Sequence, residues 1–476
     1  MTVAELLAAV ARIEDWQATV LAACYLLLGL AAGAHALLNK TEPRAAQVWL
    51  IICMAVPIVG AMAYYLFGIN RIQTRARRLL EPAQPLTGGQ SGLSTDNQMR
   101  HGRHLVIGDR VAAMAAREGN RVSLLQHGDA VYPAMLDAIA EAQREVLLCS
   151  YIFDNDEVGR RFVGALAEAQ ARGVSVRVLV DAIGECYSWP RISRELRRAG
   201  LPSRRFLPPR FVPPFGYVNL RTHRKLLIVD GAIGFCGGLN IGDRHVTDAS
   251  GYRPVDDAHF RMEGPVVTDL RTLFSDDWRF AAGEDLPRVP VCAVAGDMLC
   301  RVVPDGPNED MDKLLFILHG ALASARRYVY IMTPYFLPER DLVAALQTTA
   351  LRGVDVRVVV PYRSNLRYVD WAMQHMLPTL LRSGVRVFRR RKFSHAKLLT
   401  VDGRYSLVGS ANLDPRSLRL NFEVGVEIFD EGFARELELL MEQEMAAPED
   451  TVASLFARGR TRRLRDACMA LFTPYL

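Results

Sequence analysis

The chain is poor in lysine. Among 58 lysines and arginines in 476 residues only five are lysine: Lys40, Lys225, Lys313, Lys392 and Lys397. Cysteine is sparse as well. The eight cysteines are scattered and make no CxxC pair, which argues against a zinc ribbon or a disulfide framework and fits a reducing compartment. No Asp/Glu/His cluster has metal-ligand spacing, so neither a metal nor another cofactor is expected. Nucleic-acid motifs and interleaved aromatic-basic stripes are also missing, which counts against a nucleic-acid partner.

What is present points elsewhere. Half of the residues are hydrophobic and 23% are charged, which excludes a disordered chain, and the length exceeds one ordinary domain. The net charge of +6 suits an anionic partner. A mean hydropathy of +0.07 suggests that part of the chain lies in membrane.

Charge is absent from two long stretches. Neither residues 16–38 nor residues 45–67 contain an Asp, Glu, Lys or Arg, and each is long enough for a helix to span a hydrocarbon core of about 30 Å. The short polar turn between them makes a transmembrane helical hairpin the expectation for residues 1–70. Ala34-His35-Ala36 resembles a signal-peptidase site, but Glu5, Glu14 and Asp15 upstream oppose a cleaved leader. Arg71, Arg75, Arg77 and Arg78 follow the second run, which places both ends of a multi-pass hairpin, and everything after it, in the cytoplasm. Residues 71–104 read as a basic juxtamembrane segment and a flexible linker, the part from 81 on being rich in Pro, Gly, Ser and Gln.

Beyond the linker the chain repeats itself. Ala171-Arg172-Gly173-Val174 recurs as Leu351-Arg352-Gly353-Val354, and Leu196-Arg197-Arg198-Ala199-Gly200 as Leu380-Leu381-Arg382-Ser383-Gly384. The third matched pair is His223-Arg224-Lys225-Leu226-Leu227-Ile228-Val229-Asp230-Gly231 and His395-Ala396-Lys397-Leu398-Leu399-Thr400-Val401-Asp402-Gly403. Offsets of 180, 184 and 172 residues mean a duplication, not a solenoid of short period. Helical stretches that end at glycine and lead into β-branched strands predict two α/β domains, residues 105–290 and 291–476, each a mixed sheet flanked by helices.

The third pair carries the chemistry. Residues i and i+2 of a strand share a face, so His223 projects with Lys225 and His395 with Lys397, while Asp230-Gly231 and Asp402-Gly403 turn each strand into a hairpin. Two of only five lysines thus fall two residues after a histidine in matching places. Beyond each turn, Gly237-Gly238-Leu239-Asn240 and Gly409-Ser410-Ala411-Asn412 offer small residues for close backbone approach and a neutral amide donor. Two imidazoles and two ammonium groups at one site match phosphodiester transfer. One His attacks phosphorus to form a phosphohistidine; the other protonates the leaving alkoxide and later deprotonates the incoming alcohol. The lysines, with Asn240 and Asn412, neutralise the phosphoryl oxygens. Asp257 and Glu423, 34 and 28 residues after their histidines, are candidate orienting carboxylates, with Asp256 a rival to Asp257.

These paired H-x-K-x4-D motifs, each with a Gly-Gly/Ser-x-Asn tail, resemble the phospholipase D superfamily. The fuller pattern resembles its bacterial cardiolipin synthases. It adds the apolar hairpin with Pro57-Ile58-Val59-Gly60 and Tyr65-Leu66-Phe67-Gly68, then Arg261-Met262-Glu263-Gly264-Pro265, and Leu471-Phe472-Thr473-Pro474-Tyr475-Leu476. The resemblance implies an enzyme of the bacterial cytoplasmic membrane that converts two phosphatidylglycerols to cardiolipin and glycerol without metal or nucleotide. It implies that His223 and His395 are nucleophile and general acid/base, with a weak preference for His223 as nucleophile, and that Lys225, Lys397, Asp230 and Asp402 complete the motifs. Phosphatidylglycerol and other anionic lipids are the expected partners, with a homo-oligomer possible. A phospholipase D-type hydrolase, or a transferase using another alcohol, would use the same residues; a nuclease of the superfamily and a non-catalytic lipid scaffold fit the sequence less well. Phe206–Phe215, rich in Phe and Pro, and the basic tail Arg458–Arg465 are candidate membrane-surface contacts.

Overall fold

Pro57 shapes the N-terminal part of the chain. The computed structural model describes residues 3–40, 43–68, 93–112, 114–208, 220–247, 255–307, 312–446 and 455–473. They belong to two units, Met1–Arg75 and Ala76–Leu476. In the first unit a long helix, Val3–Asn39, is followed by Pro43–Ala55, Pro57–Ala63 and a π-helical turn, Tyr64–Gly68. Thr19–Asn39 is long and apolar enough to cross a membrane. The second apolar run, expected to be one span, is broken at Val56. Proline has no N–H for the carbonyl four residues back, that of Cys53, and its ring crowds that carbonyl. Gly29 packs against the freed oxygen, and a Cβ there would stand 2.6 Å from it. Ala36, Cys53 and Tyr64 are buried between the segments, and His35 Nδ1 lies 2.9 Å from the Tyr64 hydroxyl, so the unit is a packed hairpin. The arginines at 71, 75, 77 and 78 and linker residues 81–92 lie outside the described residues.

The linker is helical in its second part. A helix runs over Thr95–Val111. Ser94 caps it, accepting the Asn97 N–H, and Glu118 accepts from the Ser94 N–H and hydroxyl at 2.9 and 2.8 Å. Its inner face is narrow: Leu105 and Val111 enter the core, and Gly108 leaves room for the buried Arg301 guanidinium. A polar outer face hid this helix in the sequence.

The second unit is built on one sheet of 14 strands. The first half supplies β1 (Arg117–Gln126), β2 (Glu145–Ser150), β3 (Ser175–Asp181), β4 (Ser203–Phe206), β5 (Leu226–Val229), β6 (Ile233–Gly237) and β7 (Ala258–Glu263). The second half supplies β8 (Met298–Asp305), β9 (Tyr328–Met332), β10 (Asp355–Pro361), β11 (Arg386–Arg390), β12 (Leu398–Val401), β13 (Tyr405–Gly409) and β14 (Glu423–Phe429). Their order, β11-β10-β9-β12-β13-β14-β8-β1-β7-β6-β5-β2-β3-β4, reads the same from either edge once each strand is matched with its repeat. The halves therefore join edge to edge through β8 and β1, which pair antiparallel. Within each half three outer strands are parallel (β2-β3-β4, β9-β10-β11) and the others antiparallel, the mixed arrangement expected. The inner parallel strands, β2 and β3 in one half and β9 and β10 in the other, are covered by helices and read as nearly continuous apolar runs. Val176, Val178 and Val180 pack with Phe162 and Leu166 in one half; Val356, Val358 and Val360 pack with Leu346 and Leu377 in the other. Each such side chain contributes about 1.5–3 kcal/mol by leaving water.

Of the two candidate membrane contacts, Phe206 and Leu207 are buried, Phe206 against Phe280 and Phe422; residues 209–219 lie outside the described residues. The basic tail folds into the helix Arg460–Ala470; Arg465 within it and Arg458 just before it pair with buried Asp466, and Arg465 lies 4.4 Å over Trp371.

Candidate active site

His223 and Lys225 stand in the extended segment just before β5, and His395 and Lys397 just before β12, rather than on the strands themselves. The reason is a pairing that crosses the seam. The His223 N–H donates to Phe422 O at 2.9 Å and the Phe422 N–H to Arg221 O at 2.8 Å. In the same way the His395 N–H donates to Asp256 O at 2.7 Å and the Asp256 N–H to Phe393 O at 3.1 Å. Each motif is thus held by the opposite half, and the two imidazole centroids come to 6.3 Å. Buried Arg224 fastens the seam, donating to Asp277 (2.5 Å), to Glu423 O (2.9 Å) and to Asp305 O (3.1 Å).

The orienting carboxylates are exchanged relative to the sequence expectation. Glu423 belongs to His223: Nδ1 lies 3.1 Å from its Oε2 and 3.1 Å from Ser410 O. Asp257 belongs to His395: Nδ1 lies 3.1 Å from its Oδ2 and 3.3 Å from Gly238 O. A carboxylate and a carbonyl around each Nδ1 leave Nε2 as the reactive nitrogen of both rings. Asp256, the rival, is paired with Arg390 at 2.7 Å instead. Gly238 and Ser410 serve through their carbonyls, and differ for a steric reason. A Cβ at Gly238 would stand 2.1 Å from Asp257 Oδ1, whereas the Ser410 hydroxyl donates to Glu423 Oε2 at 2.5 Å.

Lys225 Nζ donates to His223 O at 2.6 Å and Lys397 Nζ to His395 O; Lys397 Nζ is also 2.8 Å from His395 Nδ1. Burial lowers both ammonium pKa values, to about 7 for Lys225 and about 8 for Lys397, against the pull of Glu423 and Asp257. Burial and the two lysines push His223 far below the ordinary imidazole range, and His395 to about 4. Burial raises Glu423 to about 7. Asp257 is also buried, but the hydrogen bond from His395 and the Lys397 charge bring it to about 2. In the empty site both rings are therefore shifted towards the neutral form that a nucleophile needs.

Four expected site residues lie elsewhere or act indirectly. Asp230 and Asp402 sit at the far ends of β5 and β12, away from the imidazoles. Asp230 accepts the backbone N–H groups of Gln143, Arg144 and Glu145 at 2.7–2.9 Å, and Asp402 those of Arg326, Arg327 and Tyr328 at 2.8–2.9 Å. Asn240 Oδ1 accepts the Ile152 N–H at 3.1 Å and Asn412 Nδ2 donates to Ser417 Oγ at 3.2 Å, bonds that brace the adjoining loops. Sequence reasoning missed Tyr151 and Tyr335, whose rings are 5.1 Å from His223 and 6.1 Å from His395. Both lie just beyond the first inner strand of their half, β2 or β9, but not at matching positions of the repeat, since Tyr151 corresponds to Pro334 and Tyr335 to Ile152, so the duplication gave no signal for them.

The chain resembles known proteins over almost all of its length. The family described as cardiolipin synthase, PLD-like domain, matches residues 135–278 and 318–445, and that described as phospholipase D-nuclease N-terminal matches residues 19–68. Cardiolipin synthase A of Pseudomonas fluorescens is 34% identical over 464 residues, 94% of this chain and 96% of that protein. Cardiolipin synthase of Geobacillus thermodenitrificans is 31% identical over 92% of this chain and 90% of that protein. Among solved structures, phosphatidylserine synthase of Haemophilus influenzae matches 75% of this chain with a TM-score of 0.56 at 16% identity, a likeness of fold.

Proposed function

The chain belongs to the cardiolipin synthase family of phospholipase D-like proteins, and from that premise we propose that it moves a phosphatidyl group from one phosphatidylglycerol to another, giving cardiolipin and glycerol. The observation that carries this reading is the pair of imidazoles 6.3 Å apart, each with a carboxylate behind Nδ1 and an ammonium group beside it. A phosphodiester between the rings is attacked by Nε2 of one. The P–N bond forms as the P–O bond to glycerol breaks, and the other ring gives the leaving oxygen its proton. A hydroxyl of the second phosphatidylglycerol then attacks phosphorus, its proton passes to the second ring, and the P–N bond breaks. Lys225 and Lys397 balance the charge on the phosphoryl oxygens, a role worth about 10²–10³ in rate for each donor.

We take His223 as the nucleophile. Burial and the two lysines hold it neutral, as an attacking ring must be, and a bound phosphodiester anion brings His395 towards the range in which it carries a proton. The first unit, with one helix long and apolar enough to span, is the membrane part. We place it in the bacterial cytoplasmic membrane as a two-segment hairpin with both ends cytoplasmic, where the second unit meets anionic lipids.

The test uses the full-length protein in phosphatidylglycerol vesicles with a chelator. Lipids are followed by mass spectrometry and glycerol is assayed in parallel. Cardiolipin and glycerol should appear in equal amounts, and both should vanish in His223→Ala and His395→Ala. Phosphatidic acid in place of cardiolipin would show water to be the acceptor and overturn the transferase reading.

A further inference from the structure

The two-fold repeat of the sheet is broken at its outer edges. β4 pairs Phe206 with Asp181, and β11 pairs Arg390 with Pro361, so Phe206, Leu207 and Pro208 correspond to Arg390, Arg391 and Lys392. The first half leaves its edge strand through apolar residues, the second through three cations in a row. Beyond β11 lies a cleft of about 1550 Å³. Eight arginines and lysines line it against four carboxylates, and Arg363, Arg367, Lys392 and Arg462 are exposed in it. All four carboxylates are engaged: Asp256 and Glu444 by Arg390, both at 2.7 Å, Asp257 by His395, and Asp370 by the Ser364 N–H at 2.8 Å. The cleft therefore carries a surplus of positive charge.

It also shares walls with the catalytic site. Asp257 lines it and orients His395. Phe393 lines it with its ring 6.2 Å from the His395 ring. Asn365, on the same cleft, accepts a hydrogen bond at 2.7 Å from Tyr335, the tyrosine beside His395. We propose that this cleft holds the phosphate of the acceptor phospholipid, an anionic glycerophosphodiester, while the acceptor's free hydroxyl reaches His395. The inference rests on the transfer reading above, in which His395 takes the proton of the incoming alcohol. The acceptor's phosphate stands three carbons from the reacting oxygen, so it must find its cations outside the catalytic pair but beside it. Guanidinium forks and a lysine suit a phosphodiester. At the matching positions of the first half stand Phe206, Leu207 and Pro208, with no cation among them, which gives the two histidines unequal neighbourhoods.

The experiment separates acceptor binding from phosphodiester chemistry. Full-length protein in vesicles of phosphatidylglycerol diluted in phosphatidylcholine is given labelled glycerol. Exchange of the label into phosphatidylglycerol needs only a donor lipid and free glycerol; cardiolipin formation needs the acceptor lipid as well. Arg363→Gln combined with Lys392→Gln should lower the ratio of cardiolipin formed to glycerol exchanged by about tenfold, the scale of one or two charge-assisted hydrogen bonds. The loss should be greatest at low phosphatidylglycerol fraction, as a KM effect. The charge-keeping pair Arg363→Lys and Lys392→Arg should restore the ratio to within about twofold. Soluble glycerol 3-phosphate should lower the same ratio in the unaltered protein more than inorganic phosphate does at equal ionic strength. An unchanged ratio in the double variant overturns the proposal, and equal inhibition by the two anions overturns the assignment to a lipid headgroup. Should the double variant lose both activities, exposed Lys392→Gln alone is read by the same ratio. Absence of exchange in the unaltered protein would overturn the transfer reading itself.

Discussion

Two buried lysines set the pH range over which the site attracts a phosphodiester. Lys225 and Lys397 are brought by burial from the usual 10.5 to about 7 and about 8. Between those values and 10.5 the unfolded chain holds protons that the folded chain has released, so this contribution to stability rises with pH across the window. Phosphate recruitment runs the other way. We expect kcat/KM to fall as pH rises past about 7–8, while kcat persists to higher pH because a bound anion retains the protons. Lys397→Arg should move the alkaline limb upward, and pH profiles of both parameters check it. Gly238 gives a second test at this scale. A side chain there meets Asp257 at 2.1 Å, so Gly238→Ser should displace the carboxylate and lower kcat about 10²-fold with little change in thermal unfolding. Ser410→Gly removes the hydroxyl that donates to Glu423 and accepts the Val424 N–H, leaves the carbonyl on His223 in place, and should cost about tenfold or less. The reacting pairs were legible because His and Lys share a face by spacing alone. Their carboxylates were found but assigned to the wrong rings, since distance along the chain does not tell which side of a seam a residue will face.

At the scale of elements, the H-x-K-x4-D motif divides into two tasks. Its His and Lys face the reacting centre, and its Asp builds the turn. Asp230 and Gly231, like Asp402 and Gly403, take left-handed backbone angles (φ 54° and 64°; 53° and 69°), and the Ala232 and Arg404 N–H groups close the turns on Val229 O and Val401 O. Each carboxylate then gathers three backbone N–H groups of the loop entering β2 or β9. Asp402→Ala should therefore destabilise the fold by about 1–3 kcal/mol, seen as a lower midpoint in thermal unfolding. The kcat of the protein that remains folded should stay within a few-fold of the original. A hundredfold loss of kcat at unchanged stability would return Asp402 to the chemistry. Strands and hairpins were readable from alternation and Asp-Gly turns. The Thr95–Val111 helix was not, because its few buried positions are too sparse to print a period through Pro- and Gln-rich surroundings.

Across the whole molecule, duplication puts a two-fold axis through the active site. Offsets between matched motifs revealed the duplication. They could not reveal that the halves fuse through β1 and β8, because exchanging equivalent partners at such an axis leaves the repeat in the sequence unchanged. The structural consequence is that neither half holds a complete reacting group: His223 leans on Glu423 of the second half, and His395 on Asp257 of the first. This crossing has a kinetic signature. With a donor such as phosphatidyl-p-nitrophenol the leaving group needs no proton, so formation of the phosphohistidine depends on the nucleophile alone and its transfer to alcohol on the general base. Glu423→Gln should slow the burst of nitrophenolate, by about 10²-fold if the carboxylate contributes as general acid–base partners usually do. Asp257→Asn should leave the burst and slow the following steady state, so that phosphatidyl-enzyme accumulates. Rapid-quench measurement of the burst decides it. Were each histidine served by the carboxylate of its own half, the two variants would exchange phenotypes: Asp257→Asn would suppress the burst, and Glu423→Gln would trap the intermediate.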